Sequence, residues 1–275
     1  MVEQAKPIVT VTGISGYIGS WVGMMLLKSG KYKVRGTVRS TTNDAKIDPL
    51  RKAYGELFDN LELVQADLLE PESLNRAING STYVLHVASP VAFEEPKDEQ
   101  ELIRPALEGT LNVLKACQAA KVKRVCVTSS ISSIYAQDPK GAPDVFDESH
   151  WSDVNYKYIN VYDKSKTLAE RAAWDFVKTA AQTEGAHQFE LSTVNPCVVL
   201  GPSLVKSDFA CAQLMNLFMQ NQLPGGIPYL RMAIADVRDV AMAHLKCIET
   251  DAAQGNRHII SNDGLWWTEI AAILR

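Results

Sequence analysis

The stretch Pro7-Ile8-Val9-Thr10-Val11-Thr12-Gly13-Ile14-Ser15-Gly16-Tyr17-Ile18-Gly19 decides how this chain folds. Ile8–Thr12 is an unbroken β-branched run, and Pro7–Thr12 reads as a short strand buried on both faces. Glycines at 13, 16 and 19 follow at GxxGxxG spacing, and a helical pattern begins near Tyr17. Strand, glycine turn and helix in this order make an anion cradle. Gly13 allows the tight turn, Gly16 the close approach of a pyrophosphate, and Gly19 close packing of helix on strand. The free N–H groups and dipole of the helix point at the phosphates. Three glycines alone occur by chance, but this context predicts a dinucleotide site.

Working outward, strand-like runs alternate with longer helical patterns. Tyr32–Val38, Leu61–Gln65, Thr82–Val87, Arg124–Thr128 and Glu190–Asn195 read as strands. Tyr17–Ser29, Ile47–Phe58, Pro71–Ile78, Glu99–Ala120 and Ile159–Thr183 read as helices. Such alternation predicts an α/β fold, a doubly wound parallel sheet of Rossmann type. After Pro196 the alternation dissolves among Gly201-Pro202, Pro224-Gly225-Gly226 and Pro228, with helices read at Phe209–Asn221, Val237–Thr250 and Trp266–Arg275. The division expected is 1–195 as the dinucleotide domain carrying the catalytic residues, and 196–275 as a smaller C-terminal substrate lobe, open to truncation at its end.

The second strand ends Thr37-Val38-Arg39-Ser40, with Arg39 where an NAD site places an acid for the ribose 2′-hydroxyl. A guanidinium matches a 2′-phosphate in charge and geometry, so NADP(H) is the expected cofactor. Lys46 follows shortly after. Asp67, after the third strand, either accepts from the adenine amine or caps the next helix. Tyr162 and Lys166 stand at i and i+4 on a helix and share a face. An ammonium beside a phenol favours the phenolate and makes the tyrosine an acid/base near neutral pH. Thr128-Ser129-Ser130 ends the fifth strand, at the carboxyl edge where such sheets bind ligands. A serine hydroxyl there can hold a substrate oxygen.

Composition excludes other classes. The 275 residues are 46% hydrophobic with net charge −4, which rules out intrinsic disorder. With a pI near 5.8, neither nucleic acid nor an anionic membrane is the expected partner. No apolar run reaches the roughly 18–20 residues of a membrane span, and the N-terminus shows no signal-peptide core, so the expected compartment is the cytoplasm. Cys117, Cys126, Cys197, Cys211 and Cys247 are odd in number and scattered, which argues against disulfides or zinc. Asn79-Gly80-Ser81 reads as a turn, not a glycosylation site. His86, His150, His187, His244 and His258 show no metal spacing, and no metal is expected. Trp266-Trp267 reads as a packing anchor.

Taken together, TGISGYIG, Val87-Ala88-Ser89-Pro90, the serines at 129–130, Tyr162/Lys166 and NPCVVLGP at 195–202 resemble the extended short-chain dehydrogenase/reductases. Within them the chain is similar to the dihydroflavonol reductase, cinnamoyl-CoA reductase and aldehyde/ketone reductase group. Glu148–Asp153 and Asp236–His244 match that group's signatures. The resemblance covers nearly the whole chain. It implies Tyr162 as acid/base, Lys166 lowering its pKa and holding the nicotinamide ribose, Ser130 orienting the carbonyl, and Asn112 behind the lysine. It places cofactor contacts on Gly13, Ser15, Gly16, Tyr17, Ile18, Gly19, Arg39, Lys46, Asp67, Leu68, Val87, Ala88, Ser89, Tyr162, Lys166, Pro196, Val199 and Ser207.

Departures narrow the substrate. Six residues separate Arg39 from Lys46, where the group's basic pair has five between. Tyr135 stands where flavonoid reductases carry Asn, and Asn160-Val161-Tyr162-Asp163-Lys164-Ser165-Lys166 replaces the cinnamoyl-CoA reductase block. The CoA-binding His and Lys of that group fall on Gln213 and Asn216, and no cation lies between Lys206 and Arg231. The expected activity is NADPH-dependent reduction of an apolar or aromatic aldehyde or ketone, with Phe93, Tyr135, Leu214, Met215 and Phe218 able to line the pocket. The rivals are an NAD-retaining nucleotide-sugar epimerase or dehydratase and a non-catalytic NADP(H) sensor of the same fold. The expected partner is a small carbonyl compound, and the expected state a monomer or homodimer.

Overall fold

The structure is a computed structural model that describes residues 5–90, 96–205, 210–220, 222–223 and 225–275. The first half runs β1 (Ile8–Thr12), α1 (Tyr17–Ser29), β2 (Lys33–Val38), α2 (Asp44–Tyr54), β3 (Leu61–Gln65), α3 (Pro71–Ile78), β4 (Tyr83–His86), α4 (Gln100–Ala119) and β5 (Arg124–Thr128). The second half runs α5 (Val161–Gln182), β6 (Glu190–Pro196), β7 (Val198–Leu200), α6 (Ala210–Met219), β8 (Arg231–Asp236), α7 (Val237–Glu249), β9 (Arg257–Ile260), β10 (Gly264–Trp266) and α8 (Trp267–Ile273).

The expected doubly wound sheet is present. Seven strands lie in the order β3-β2-β1-β4-β5-β6-β9, every neighbouring pair parallel. Alternate residues of one strand feed two cores. On β5, Val125 and Val127 join Leu74, Ile78, Leu114 and Ala173 on one face, while Cys126 joins the α1 and α7 side with Leu26, Val240 and Leu245. Period-two alternation with apolar residues on both faces is what a sheet covered by helices on both sides requires. Strand order reverses between β1 and β4, so the crevice at their carboxyl ends is where such a sheet takes a ligand.

Four short strands escaped the sequence reading. The helix read at Ile47–Phe58 starts earlier, at Asp44, and gives way at Gly55 to a 3-10 segment reaching Asn60. Beyond Pro196, β7, β8 and β10 form a second sheet in the order β10-β8-β7, and β9 returns to the main sheet beside β6. These strands have three to six residues, too few for a period to stand out, and β9 opens on Arg257. The helix read from Trp266 starts one residue later, because Trp266 pairs with Arg231 as the last residue of β10. Trp266 stacks on Tyr229 at 4.2 Å and Trp267 meets Phe218 at 5.3 Å, so the tryptophan pair does anchor packing.

Candidate active site

The β1–α1 turn is built as its glycines require. Gly13 sits at φ +69°, a left-handed conformation that glycine adopts without strain, and its carbonyl accepts from the Gly16 N–H at 2.9 Å. A Cβ on Gly19 would lie 2.3 Å from the Gly13 oxygen, so any side chain there forces the turn open. A Cβ on Gly13 would meet Ala88 at 3.0 Å. That contact packs the first turn against the loop after β4, across the point where strand order reverses. Gly16 caps α1 with no side-chain bond, which leaves the first-turn N–H groups to an anion.

Thr12 ties the two loops together. Its Oγ1 accepts from the N–H groups of Val87 and Ala88 at 3.1 Å each, and lies 2.8 Å from Nδ1 of His86. Tyr17 directs its phenol away from the cradle and donates to the Gly201 carbonyl at 2.9 Å, while Trp21 donates to Pro202 at 2.8 Å. Helix α1 is thereby fastened to the segment that leaves β7 of the second sheet.

Arg39, at the end of β2, is exposed, and no carboxylate pairs with it among the described residues. Lys46 is exposed on the first turn of α2. Asp67 accepts from the Leu69 N–H at 2.9 Å, a local turn, and does not cap α3, whose N-cap is Glu70. Leu68 packs under Gly109, and its carbonyl accepts from Asn112 Nδ2 at 2.9 Å. Asn112 thus braces the loop after β3, and no bond joins it to Lys166. Pro196 ends β6 and Val199 is buried in β7. Ser207 and Phe93 lie outside the described residues.

Tyr162 and Lys166 occupy the first turns of α5, which Asn160 caps by accepting from the Asp163 N–H at 2.8 Å. Lys166 is buried, and its ammonium donates to Ser89 Oγ at 3.0 Å and sits 5.8 Å from the Tyr162 ring centre. Burial lowers its pKa from 10.5 to about 8, with Glu170 opposing the shift. His86 shares a small cavity with Lys166, Ser89, Ser129 and Glu170. Burial first and the Lys166 charge second take its pKa down to about 3, so it is neutral. His244 is also neutral, lowered by burial to about 4, with its ring nitrogens 2.7 Å from Thr128 Oγ1 and the Val240 carbonyl. His187 and His258 bond to main-chain carbonyls, and His150 pairs with Asp147.

Ser130 begins the 3-10 turn Ile131–Ser133, its Oγ accepting from the Ser132 N–H at 3.1 Å. This turn is pinned to α5 by residues the sequence reading did not single out. Glu170, fully buried, accepts from Ser129 and Asn195 at 2.5 and 2.8 Å, and from Arg257 Nε at 2.6 Å. Ser152, within the Glu148–Asp153 signature, accepts from the Ala136 N–H and donates to the Ser132 carbonyl. Tyr135, exposed by 43%, reaches Asp163 at 3.2 Å. Burial and the Asp163 charge push its phenol up to about 12. One signal for Glu170 was present in the sequence: an acid at i+4 from Lys166, on the same face of the helix.

Residues 9–261 match the model of the NAD dependent epimerase/dehydratase family. The chain belongs to that family. Among relatives in this family, tetraketide alpha-pyrone reductase 1 of Arabidopsis thaliana is 38% identical, over 99% of this chain and 81% of its own length. Cinnamoyl-CoA reductase CAD2 of Medicago truncatula is 37% identical, over 98% of this chain and 80% of its own. The crystal structure of yeast methylglyoxal/isovaleraldehyde reductase Gre2 complexed with NADPH superimposes with a TM-score of 0.85 at 28% identity, covering 97% of this chain and 81% of that one. Among the described residues of this family member, no helix is long and apolar enough to cross a membrane.

Proposed function

We propose that this chain reduces an apolar or aromatic aldehyde or ketone to the alcohol, with Tyr162 as proton donor. The broader assignment follows from the family: the chain is an oxidoreductase, and its cofactor is NADP(H). The observation that carries the finer reading is Lys166, a buried ammonium bonded to Ser89 on the cofactor side and set beside the Tyr162 ring.

The residues present fit the cofactor. The glycine cradle leaves no room for a Cβ at Gly19, α1 has no side-chain cap competing for its N–H groups, and exposed Arg39 suits a 2′-phosphate. When bound, NADPH supplies the hydride. Ser130 Oγ and the Tyr162 phenol donate to the substrate oxygen and orient it. Lys166 stabilises negative charge on the phenol oxygen as the proton leaves. Ser89 holds the Lys166 ammonium in place, and neutral His86 adds no charge to compete with it. For the substrate, half-buried Leu214, Met215 and Phe218 on α6 offer an apolar wall. The absence of cations between Lys206 and Arg231 disfavours a CoA thioester.

The test is NADPH absorbance with a panel of aldehydes, ketones and acyl-CoA thioesters. Apolar carbonyls are expected to turn over, and Tyr162→Phe to lose about 10²–10⁴ in kcat. A Tyr162→Phe enzyme as fast as the parent would overturn the reading. So would stoichiometric NAD released on denaturing the purified protein, which fits an epimerase instead.

A further inference from the structure

Behind the candidate catalytic face lies a buried ion pair that the reaction itself does not use. Glu170 stands on α5, one turn beyond Lys166. Arg257 opens β9, the last strand of the main sheet, 87 residues further along the chain. The two meet as a fork, Nε to Oε1 at 2.6 Å and Nη2 to Oε2 at 3.3 Å, with side-chain exposures of 7% and 0%. Burying two charges carries a large desolvation cost, and this arrangement offsets it by giving every oxygen of the carboxylate and every nitrogen of the guanidinium a partner. Glu170 Oε1 also accepts from Thr193 at 3.1 Å and Trp174 at 3.3 Å. Arg257 donates on to the carbonyls of Glu148 and His150 and lies 3.8 Å over the Trp151 ring.

What sets the pair apart is where its remaining bonds go. Oε2 of Glu170 takes Ser129 and Asn195, while Ser133 Oγ lies 2.5 Å from it. Asn195 Nδ2 and Ser133 Oγ also lie 3.3 and 2.7 Å from the main-chain carbonyl of Ser130. Arg257 Nη2 adds a bond to Ser133 Oγ at 3.0 Å. Ser130 is therefore gripped on both sides, through Ser129 and Ser133, by a carboxylate rigidly attached to the helix that carries Tyr162 and Lys166. A surface ion pair would be worth little. This one fixes the relative placement of two elements that are distant in sequence.

We propose that Glu170, locked by Arg257, is the positioning residue that sets Ser130 against Tyr162 and, one turn along the same helix and lining the same small cavity, stands as the counter-charge to Lys166. The proposal rests on the reading of Ser130, Tyr162 and Lys166 given above. Glu170 touches no reacting atom and acts through those residues. Its carboxylate suits the task. Burial pushes the carboxyl up, but the bonds from Arg257, Ser129 and Ser133 outweigh burial and hold it below the usual carboxylate range. Of the groups facing Lys166, His86 on β4 is neutral, Tyr162 shares its helix, and Glu170 is the anion among the described residues.

The experiment compares the parent with Glu170→Gln, Arg257→Lys and Tyr162→Phe for kcat against pH, NADPH affinity by fluorescence titration, and thermal midpoint. Glu170→Gln is expected to lower kcat about tenfold to a hundredfold, the scale of a misplaced catalytic group, with NADPH affinity unchanged. Removing the anion makes the ammonium easier to deprotonate, so the alkaline limb of kcat is expected to move to lower pH. A purely structural role would leave that limb in place. Should Glu170→Gln fail to fold, Arg257→Lys carries the test. It keeps both charges but cannot fork to Glu170 and Ser133, so kcat is expected to fall with the limb unmoved. A folded Glu170→Gln with kcat within about twofold of the parent, or with a reduced kcat and an unmoved limb, overturns the proposal. If Tyr162→Phe is inactive in the same assay, the reading of the site survives that failure. If Tyr162→Phe is fully active, the reading itself has failed.

Discussion

Lys166 is expected to destabilise the fold that it serves. Its ammonium is buried, and its pKa falls from 10.5 to about 8. At about 1.4 kcal/mol per pKa unit, that drop corresponds to roughly 3 kcal/mol of folding free energy withheld wherever the group is charged in both states. The sign follows from proton counts. Below pH 8 the folded and unfolded chains both hold the proton, and the full penalty stands. Between about 8 and 10.5 the unfolded chain binds more, so the parent gains stability as pH rises. Replacing Lys166 by Met keeps the length and apolar volume of the stem, removes the buried charge, and forfeits the bond to Ser89, worth about 1 kcal/mol. Glu170 keeps Arg257 as its counterion, so no orphan charge remains. Lys166→Met is therefore expected to be inactive yet about 1–3 kcal/mol more stable than the parent at pH 7, with the gap closing by pH 10. Urea unfolding of both proteins without cofactor, at pH 7 and pH 10, measures this directly. A variant less stable than the parent at pH 7, or a gap that does not change with pH, refutes the reasoning.

Gly19→Ala puts a Cβ 2.3 Å from the Gly13 oxygen, so a loss of about 1–3 kcal/mol in stability and weaker NADPH binding are expected, read by denaturation and fluorescence titration. Arg39→Ala removes the charge proposed to meet the 2′-phosphate. NADPH affinity is expected to fall about tenfold to a hundredfold while NADH affinity holds, as one charge-assisted bond predicts. Equal losses for both cofactors would show that Arg39 does not discriminate. His86 and His244 are neutral when folded, with pKa values lowered to about 3 and 4. Their contribution is full above pH 6.5 and is lost as pH falls toward 4, because the unfolded rings take protons first. Urea unfolding near pH 5.5 is expected to take up close to two protons from these residues; a stability independent of pH between 6 and 5 contradicts the assignment.

Much of this protein was legible in local sequence. Gly13, Gly16 and Gly19 could be read with the strand before them and the helix after them, because turn geometry and helix approach are settled within a dozen residues. The strands up to β6 showed for a similar reason, since each carries a short run rich in Val, Leu and Thr between helical patterns. Tyr162 and Lys166 share one helix, and spacing was enough to pair them. The short strands β7 to β10 did not show. They hold three to six residues each, and their pairing depends on partners far along the chain.

Tertiary structure alone decided three things. Trp21 and the Tyr17 phenol serve the contact between α1 and Gly201-Pro202, a bond across more than 180 residues that no local pattern encodes. Asn112 turns to the Leu68 carbonyl and not to Lys166. Glu170 and Arg257, each an ordinary charged residue in sequence, become a buried hub only when β9 closes the sheet beside β6. Local spacing fixes groups on one element to within a turn. The distance between elements, and hence the burial that moves the Lys166 and His86 pKa values, exists only once the sheet has closed around them.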